Sequence, residues 1–237
     1  MKALILNSGL GHRMGDITKT HPKCMTEVIN NETILSMQLK KLSKCGITDV
    51  VITTGYFDQV LIDYCKGLNL PLNINFIKNE KFAETNYIYS IYCAKDFLHD
   101  DILLMHGDIV FEQSVLSDIL KEEKSCMKIS SSLALPEKDF KAVVKGGHIT
   151  AVGVEYFEDA FEAQAFYKLK REDWEKWLSN ICKFCEEGNT NVYAEKAFNV
   201  ISNECLIYPF DVKDRLCTEI DTPEDLSKVK EILNYAK

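Results

Sequence analysis

Proline and glycine are scarce, at 5 and 11 of 237 residues, which excludes collagen-like and low-complexity chains. Disorder is excluded as well, because 46% of the residues are hydrophobic, enough to bury a full core. Cations are in deficit: 28 Lys and Arg face 36 Asp and Glu, a formal net charge of -8. That sign argues against nucleic acid or an anionic membrane as the main partner, since either would draw a surplus of positive charge. Long apolar runs are missing too. Nothing approaches the ~18 uninterrupted apolar residues of a membrane span, and the apolar start at residues 3–6 is broken by Asn7 before it reaches the length of a secretory core. The expectation is a cytoplasmic globular protein.

Cysteine is plentiful, but its nine positions are odd in number and scattered through apolar or helical patterns. They read as reduced core residues rather than a disulfide framework. The single C-x-x-C, Cys182 to Cys185, has no second Cys or His pair at zinc spacing, so it reads as part of a helix.

The chain begins as alternating strands and helices. Residues 2–6 form a short apolar run that ends in a glycine-rich loop, and Thr33 precedes a helical stripe over residues 34–42 that stops near Gly46. Strands are predicted at 50–53, 72–77 and 102–105, with helices over 57–65 and 86–97 between them. Such repeated units require an α/β fold with a doubly wound, mostly parallel sheet and helices on both faces. After about residue 125 the rhythm changes. Residues 127–133, 140–144 and 149–154 read as strands without intervening helices, the last two joined across Gly146 and Gly147, and predict a mixed β extension. Helices follow over 171–185 and 193–201 and extended runs at 205–208 and 216–220. A last helix starts near Pro223, capped by Asp221 or Thr222.

The loop after the first strand carries Gly9, Gly11, Arg13 and Gly15, and Pro22-Lys23 brings a second cation. Glycines let backbone N-H groups approach a phosphate, and arginine adds a bidentate charged contact. A dinucleotide fingerprint fails because Met14 stands where glycine or alanine is needed, and no Walker sequence occurs anywhere. A flexible loop with ordinary surface cations is the bland alternative.

Two carboxylates far apart in sequence complete the pattern. Asp108 follows Gly107 at the end of the predicted fourth strand, and Asp221 follows another extended run. In a parallel sheet both can reach one edge, and two hard oxygen ligands suit magnesium on a nucleoside triphosphate. A helix N-cap role for Asp221 and a turn role for Asp108 stand as the alternatives.

The run G-x-G-x-R-M from Gly9, followed by P-K at 22–23, resembles the N-terminal signature of the sugar-phosphate and alcohol-phosphate nucleotidyltransferases. So do the Asp after the fourth strand and the E-I-D before T-P-E-D-L near the C-terminus. Family members usually carry Ala-Ala where this chain has Asn7-Ser8. The segment 79–92, with N-x-x-Y-S-I-Y inside it, is most similar to the small bacterial cytidylyltransferases that activate phosphocholine, aminoethylphosphonate or phosphoglutamine.

The resemblance implies a Rossmann-like, GT-A-like fold in a single domain over 1–237, with residues 1–125 binding nucleotide and 126–237 binding acceptor. It implies a magnesium-dependent enzyme that takes CTP and a small phosphorylated acceptor, for decoration of surface polysaccharide such as capsule, or of lipid. It leaves a homodimer open. Arg13 and Lys23 would be the catalytic cations, and Asp108 and Asp221 the metal ligands. Leu6, Asn7, Ser8, Gly9, Gly11, Arg13, Glu84, Thr85, Asn86, Ser90 and Gly107 would bind nucleotide, Asn86 being equally readable as a helix cap. Lys141, Tyr193, Glu195 and Glu219 would bind the acceptor, with Lys168 and Arg171 as further charged candidates. Tyr87, Tyr89, Tyr92, Trp174 and Trp177 could cage an ammonium, although the tryptophan spacing is that of a helix core. His12, His21 and His106 read as neighbours, because an ionised phosphate needs no general base to attack. Rival readings are a sugar-1-phosphate nucleotidyltransferase, a non-catalytic nucleotide sensor and a nicotinamide oxidoreductase.

Overall fold

The computed structural model describes residues 1–235. The first half runs β1 (Lys2–Leu6), β2 (Glu27–Ile29), β3 (Glu32–Thr33), α1 (Ile34–Lys44), β4 (Asp49–Thr54), α2 (Asp58–Gly67), β5 (Asn73–Lys78), α3 (Tyr87–Ala94), β6 (Ile102–His106), β7 (Ile109–Phe111) and α4 (Gln113–Ile119). Two short 3-10 segments, His12–Thr18 and Lys23–Met25, lie between β1 and β2. The second half runs β8 (Cys126–Ser130), β9 (Lys141–Lys145), β10 (His148–Gly153), β11 (Ala160–Leu169), α5 (Arg171–Glu186), α6 (Ala194–Ile201), β12 (Tyr208–Asp211), β13 (Cys217–Glu219) and α7 (Pro223–Tyr235).

Strands β5, β4, β1 and β6 lie side by side and parallel, with Leu6 level with Thr53 on one side and His106 on the other. Their carboxyl ends therefore share one edge. Successive residues of β1 feed opposite faces, as the two-residue period of a strand demands. Leu4 and Leu6 pack with α3, α5 and α6, whereas Ala3 and Ile5 pack with α1, α2 and α4. Each of these two cores also takes residues from beyond position 125.

Beyond β6 the sheet becomes antiparallel. β11 pairs with β6 through residues 166–169 and with β9 through 160–162, and β8 lies along it and carries β12 at its far side. The β9–β10 hairpin turns on Gly146 and Gly147, both at positive φ. The patterns predicted neither β11 nor α4. Eight consecutive residues of β11 are buried, so no polar face alternates with an apolar one, and its alanines, glutamine and glutamate are poor strand formers. The expected strand at 205–208 lies later, at Tyr208–Asp211.

Local chemistry explains the helix ends. Thr33 and Ser36 form a reciprocal capping box on α1, and Gly46 leaves it with φ of 77°. Thr222 caps α7, accepting from the Asp225 N-H at 3.2 Å, while Asp225 accepts from the Thr222 N-H at 2.9 Å. The cap is thus Thr222, and the Asp221 carboxylate turns elsewhere. A third, smaller apolar cluster joins Met14 of the glycine loop to Val28, Ile34, Val110, Ile220 and the α7 residues Leu226 and Val229. Trp174 and Trp177 are fully buried, each indole donating to a backbone carbonyl at 2.9 Å, so they are core residues. All nine cysteines are free thiols, six of them buried.

Candidate active site

The ends of β1 and β6 build the site. After Leu6 the Asn7 N-H donates to the Thr53 carbonyl at 3.2 Å, which ties the turn to β4. Gly11 lies at φ 67°, and Gly15 at φ 58° and ψ -126°, a conformation open to glycine alone. The Thr18 hydroxyl donates to the Gly11 carbonyl at 3.0 Å and closes the loop, while Met14 anchors it in the third cluster. At β6, buried Gln38 of α1 donates to the His106 and Ile109 carbonyls at 3.0 and 2.8 Å, bracing the turn that holds Gly107 and Asp108. A Cβ at Gly107 would fall 1.6 Å from Asn7 Oδ1, so the absence of a side chain there leaves room for the Asn7 carboxamide.

Lys23 stands at the centre. Its ammonium pairs with Asp108 and, at 2.6 Å, with Asp221, and it is held well above the usual lysine pKa because these two carboxylates outweigh the cost of burial. Arg13 reaches Asp221 at 2.9 Å while its side chain stays 63% exposed. Asp108 is held below the ordinary carboxylate range: burial works against ionisation, and Lys23 and His106 prevail over it. His106 Nδ1 lies 3.1 Å from Glu219 Oε1. Burial alone would lower the His106 pKa, but the hydrogen bond and charge of Glu219, with Asp108 and Glu195 beyond, raise it to about 9.

Three cavities meet at these residues. The first, of 330 Å³, is lined by Leu6, Asn7, Gly9, Gly11, Arg13, Lys23, Gly107, Asp108 and Asp221 among others. The second, of 370 Å³, is lined by Leu6, Ser8, Gly9, Gly11, Asn79, Phe82, Thr85, Asn86, Tyr87, Ser90, His106 and Asp108 among others. The third, of 300 Å³, takes Arg13, Tyr87, His106, Asp108, Lys138, Asp139, Phe140, Val154, Tyr193, Glu219 and Asp221. Asp108 borders all three. Asn86 lines the second cavity, and its side chain caps α3, accepting from the Tyr87 N-H at 2.8 Å.

Several expected site residues lie elsewhere. Glu84 is exposed and lines none of these cavities. Lys141 is buried and spends its ammonium on the Pro136 and Glu137 carbonyls at 2.6 and 3.4 Å, because β9 turns it away from the cleft. Its neighbours Lys138 and Asp139 line the third cavity instead. Glu195 is enclosed and accepts from the Tyr87 hydroxyl and, at 2.8 Å, from the Tyr167 hydroxyl. It therefore acts behind the cavity wall. Tyr89 and Tyr92 stack on each other at 5.7 Å, Arg171 pairs with Glu175, and Lys168 donates to the Glu122 carbonyl; none of the four lines these cavities. Sequence reasoning missed Asp139 and the structural weight of His106. Asp139 sits in a loop with no motif around it, whereas His106 was legible as the last residue of a strand whose end carries Asp108.

The oxygen-rich chemistry suits a hard cation. Asp139, Glu219 and Asp221 bring carboxylate oxygens within 4.8 Å of one another, and so do the ligand atoms of His106, Asp108 and Glu219. Among the described residues, eight buried side-chain polar atoms lack a partner, and four of them are here: Asn7 Nδ2, Ser8 Oγ, His106 Nε2 and Asp108 Oδ1. Buried polar groups are normally paired, so this concentration fits a site completed by a ligand and its counter-ion.

A family model for nucleotidyl transferases matches residues 2–140. The chain belongs to the nucleotidyl transferase family. Among curated relatives of the family, the CTP:phosphoglutamine cytidylyltransferase of Campylobacter jejuni is 31% identical over 84% of this chain and 83% of its own length. The choline-phosphate cytidylyltransferase of Streptococcus pneumoniae is 26% identical over 98% of each. Solved structures agree on the fold: a CTP:phosphocholine cytidylyltransferase from Streptococcus pneumoniae superposes with a TM-score of 0.77 at 22% identity, covering 98% of each chain. An inositol-1-phosphate CTP transferase from T. maritima gives 0.81 at 22% identity, over 98% of this chain and 94% of the other. The nucleotidyl transferase fold is thus a mixed α/β arrangement around a largely parallel central sheet. No helix among the described residues is long and apolar enough to cross a membrane.

Proposed function

We propose that this protein is a magnesium-dependent cytidylyltransferase that joins CMP from CTP to a small phosphorylated amine or amino acid and releases pyrophosphate. The enzyme would work in the cytoplasm, and its product would serve decoration of surface polysaccharide or of lipid. One observation carries the reading: Arg13, Lys23, Asp108 and Asp221 converge where three cavities meet. A nucleotide and an acceptor need separate pockets, and their phosphates need shared counter-charge between them. The names of the relatives support CTP over other nucleotides.

In the reaction an ionised oxygen of the acceptor phosphate attacks the α-phosphorus of CTP, and the bond to the β-phosphate breaks with its electron pair leaving on pyrophosphate. No protein nucleophile and no general base are required, so catalysis is positioning and charge neutralisation. Arg13 holds the β- and γ-phosphates from the exposed rim. Lys23 neutralises charge at the α-phosphate, where attacking and leaving oxygens both approach. Asp108 and Asp221 would hold magnesium, whose charge offsets that of the phosphates when bound. Residues 1–125 supply the nucleotide side, with the second cavity for the base. Residues after 125 supply most of the acceptor side, where Tyr87, Phe140 and Tyr193 form an aromatic wall beside Asp139 and Glu219.

The test is incubation with each nucleoside triphosphate and pooled phosphomonoesters and phosphonates, scored by pyrophosphate release and mass spectrometry of the products. A CDP-linked amine or amino acid is expected. Activity confined to UTP or dTTP with a hexose phosphate would overturn the reading.

A further inference from the structure

We propose that the adjacent side chains of Asn7 and Ser8 read opposite ends of the bound nucleotide, the Asn7 carboxamide donating to a phosphate oxygen and the Ser8 hydroxyl to the base. This rests on the nucleotide reading above and extends it from the backbone of the turn to its side chains. Neighbouring residues on extended backbone point to opposite sides. Here Asn7 lines the 330 Å³ cavity with Lys23, Asp108 and Asp221, and Ser8 lines the 370 Å³ cavity with Asn79, Thr85 and Ser90.

Both donors are sealed and unspent. Asn7 Nδ2 has no partner, although the same residue's backbone N-H is shared by the Thr53 carbonyl and hydroxyl at 3.2 and 3.1 Å. The carboxamide lies against Gly107, where the chain has given up a side chain to admit it. Lys23 engages one oxygen each of Asp108 and Asp221, and Arg13 shares the Asp221 oxygen; Asp108 Oδ1 is unpartnered and suits the counter-ion, while a phosphate oxygen fits the Asn7 donor.

Ser8 is 7% exposed, and its Oγ has no partner. A Cβ at Gly55 would sit 2.4 Å from the Ser8 carbonyl oxygen, so the end of β4 packs directly against this turn. Across the cavity Asn79 is used up: its amide donates to Thr85 and Ser90 at 3.0 Å each, and its oxygen accepts from the Lys81 N-H at 2.8 Å. The Ser8 hydroxyl, turning about one torsion, is free to meet a base carbonyl or ring nitrogen. A buried donor left unpaired costs stability, and two on consecutive residues, one per cavity, fit donors that a ligand satisfies.

The experiment measures binding of CTP, cytidine and tripolyphosphate, each with magnesium chloride, by ligand-observed NMR, with thermal melting to verify folding. Asn7→Ala is expected to weaken CTP and tripolyphosphate about tenfold and leave cytidine within about twofold. Asn7→Asp keeps the shape and weakens both anions further by like-charge repulsion. Ser8→Ala is expected to weaken CTP and cytidine about tenfold and spare tripolyphosphate. Equal losses for cytidine and tripolyphosphate in either residue's variants, or no loss in either, overturn the proposal. UTP and uridine run in parallel separate the two readings. A wild type that prefers them sinks the CTP assignment, while the same split measured on them upholds both side-chain roles.

Discussion

The two halves of the molecule carry their share of the site in different ways. Before residue 125, parallel strands deliver their ends to one edge, and the residues there come from short contiguous segments: 6–13, 22–24, 79–90 and 106–108. After residue 125, antiparallel strands surround β11, and the lining is scattered over Lys138, Asp139, Phe140, Val154, Tyr193, Glu219 and Asp221. Parallel topology concentrates chemistry into motifs. Antiparallel topology spreads it over hairpins and helix starts, where no single spacing records it. On the proposed function, the contrast is that of an edge built for phosphates with a wall built for the acceptor.

The largest effect should come from the first half. Lys23→Ala is expected to lower turnover about a thousandfold or more while circular dichroism stays unchanged, as removal of a transition-state charge contact does. Near-normal kcat would take Lys23 out of the mechanism and erase the contrast. Asp108→Asn should shift the magnesium titration of activity to higher concentration and lower kcat about a hundredfold. An unmoved titration would show that Asp108 is not a metal ligand.

The second half should answer in KM rather than kcat. Glu195→Gln disturbs the carboxylate that fixes Tyr87 and Tyr167, and is expected to raise the acceptor KM about tenfold and the CTP KM by less, since Tyr87 also borders the second cavity. Equal changes in both constants would mean that the wall is not specific to the acceptor side. A pH measurement sharpens the seam between the halves. His106 has a folded pKa of about 9 against 6.5 unperturbed, so its pairing with Glu219 stabilises the fold fully below 6.5 and is lost as pH rises through about 9. In EDTA, the melting temperature of the wild type should fall over that window more than that of His106→Gln. Parallel curves would reject the charged pair. The smallest effect is expected at Lys141: Lys141→Met should leave kcat/KM within about threefold, since its ammonium serves two carbonyls away from the cleft.

What was legible follows the same division. β1, α1, β4, β6 and the loop cations could be read because a buried parallel strand, a capped amphipathic helix and a glycine turn each leave a local pattern. β11 could not, since a strand covered on both faces shows no alternation, and its burial is a property of neighbours 17 to 67 positions away in sequence. Lys141 was misplaced for a related reason. In 138–141 the residues are polar or charged apart from Phe140, and only the course of the backbone decides which of them faces the cleft. Asp221 could be read as cap or ligand; Thr222 does the capping, and the Asp221 carboxylate meets Arg13 and Lys23.

The small apolar cluster around Met14 has a consequence for how firmly Arg13 and Asp221 are set. Met14 follows Arg13, Ile220 precedes Asp221, and the two packed side chains share one patch with the last helix. The spacing of the guanidinium and the carboxylate is thereby held by oil rather than by attraction. High salt should loosen their electrostatic grip yet leave them facing each other, and a cut through the C-terminal helix should unsettle a loop more than 200 residues upstream.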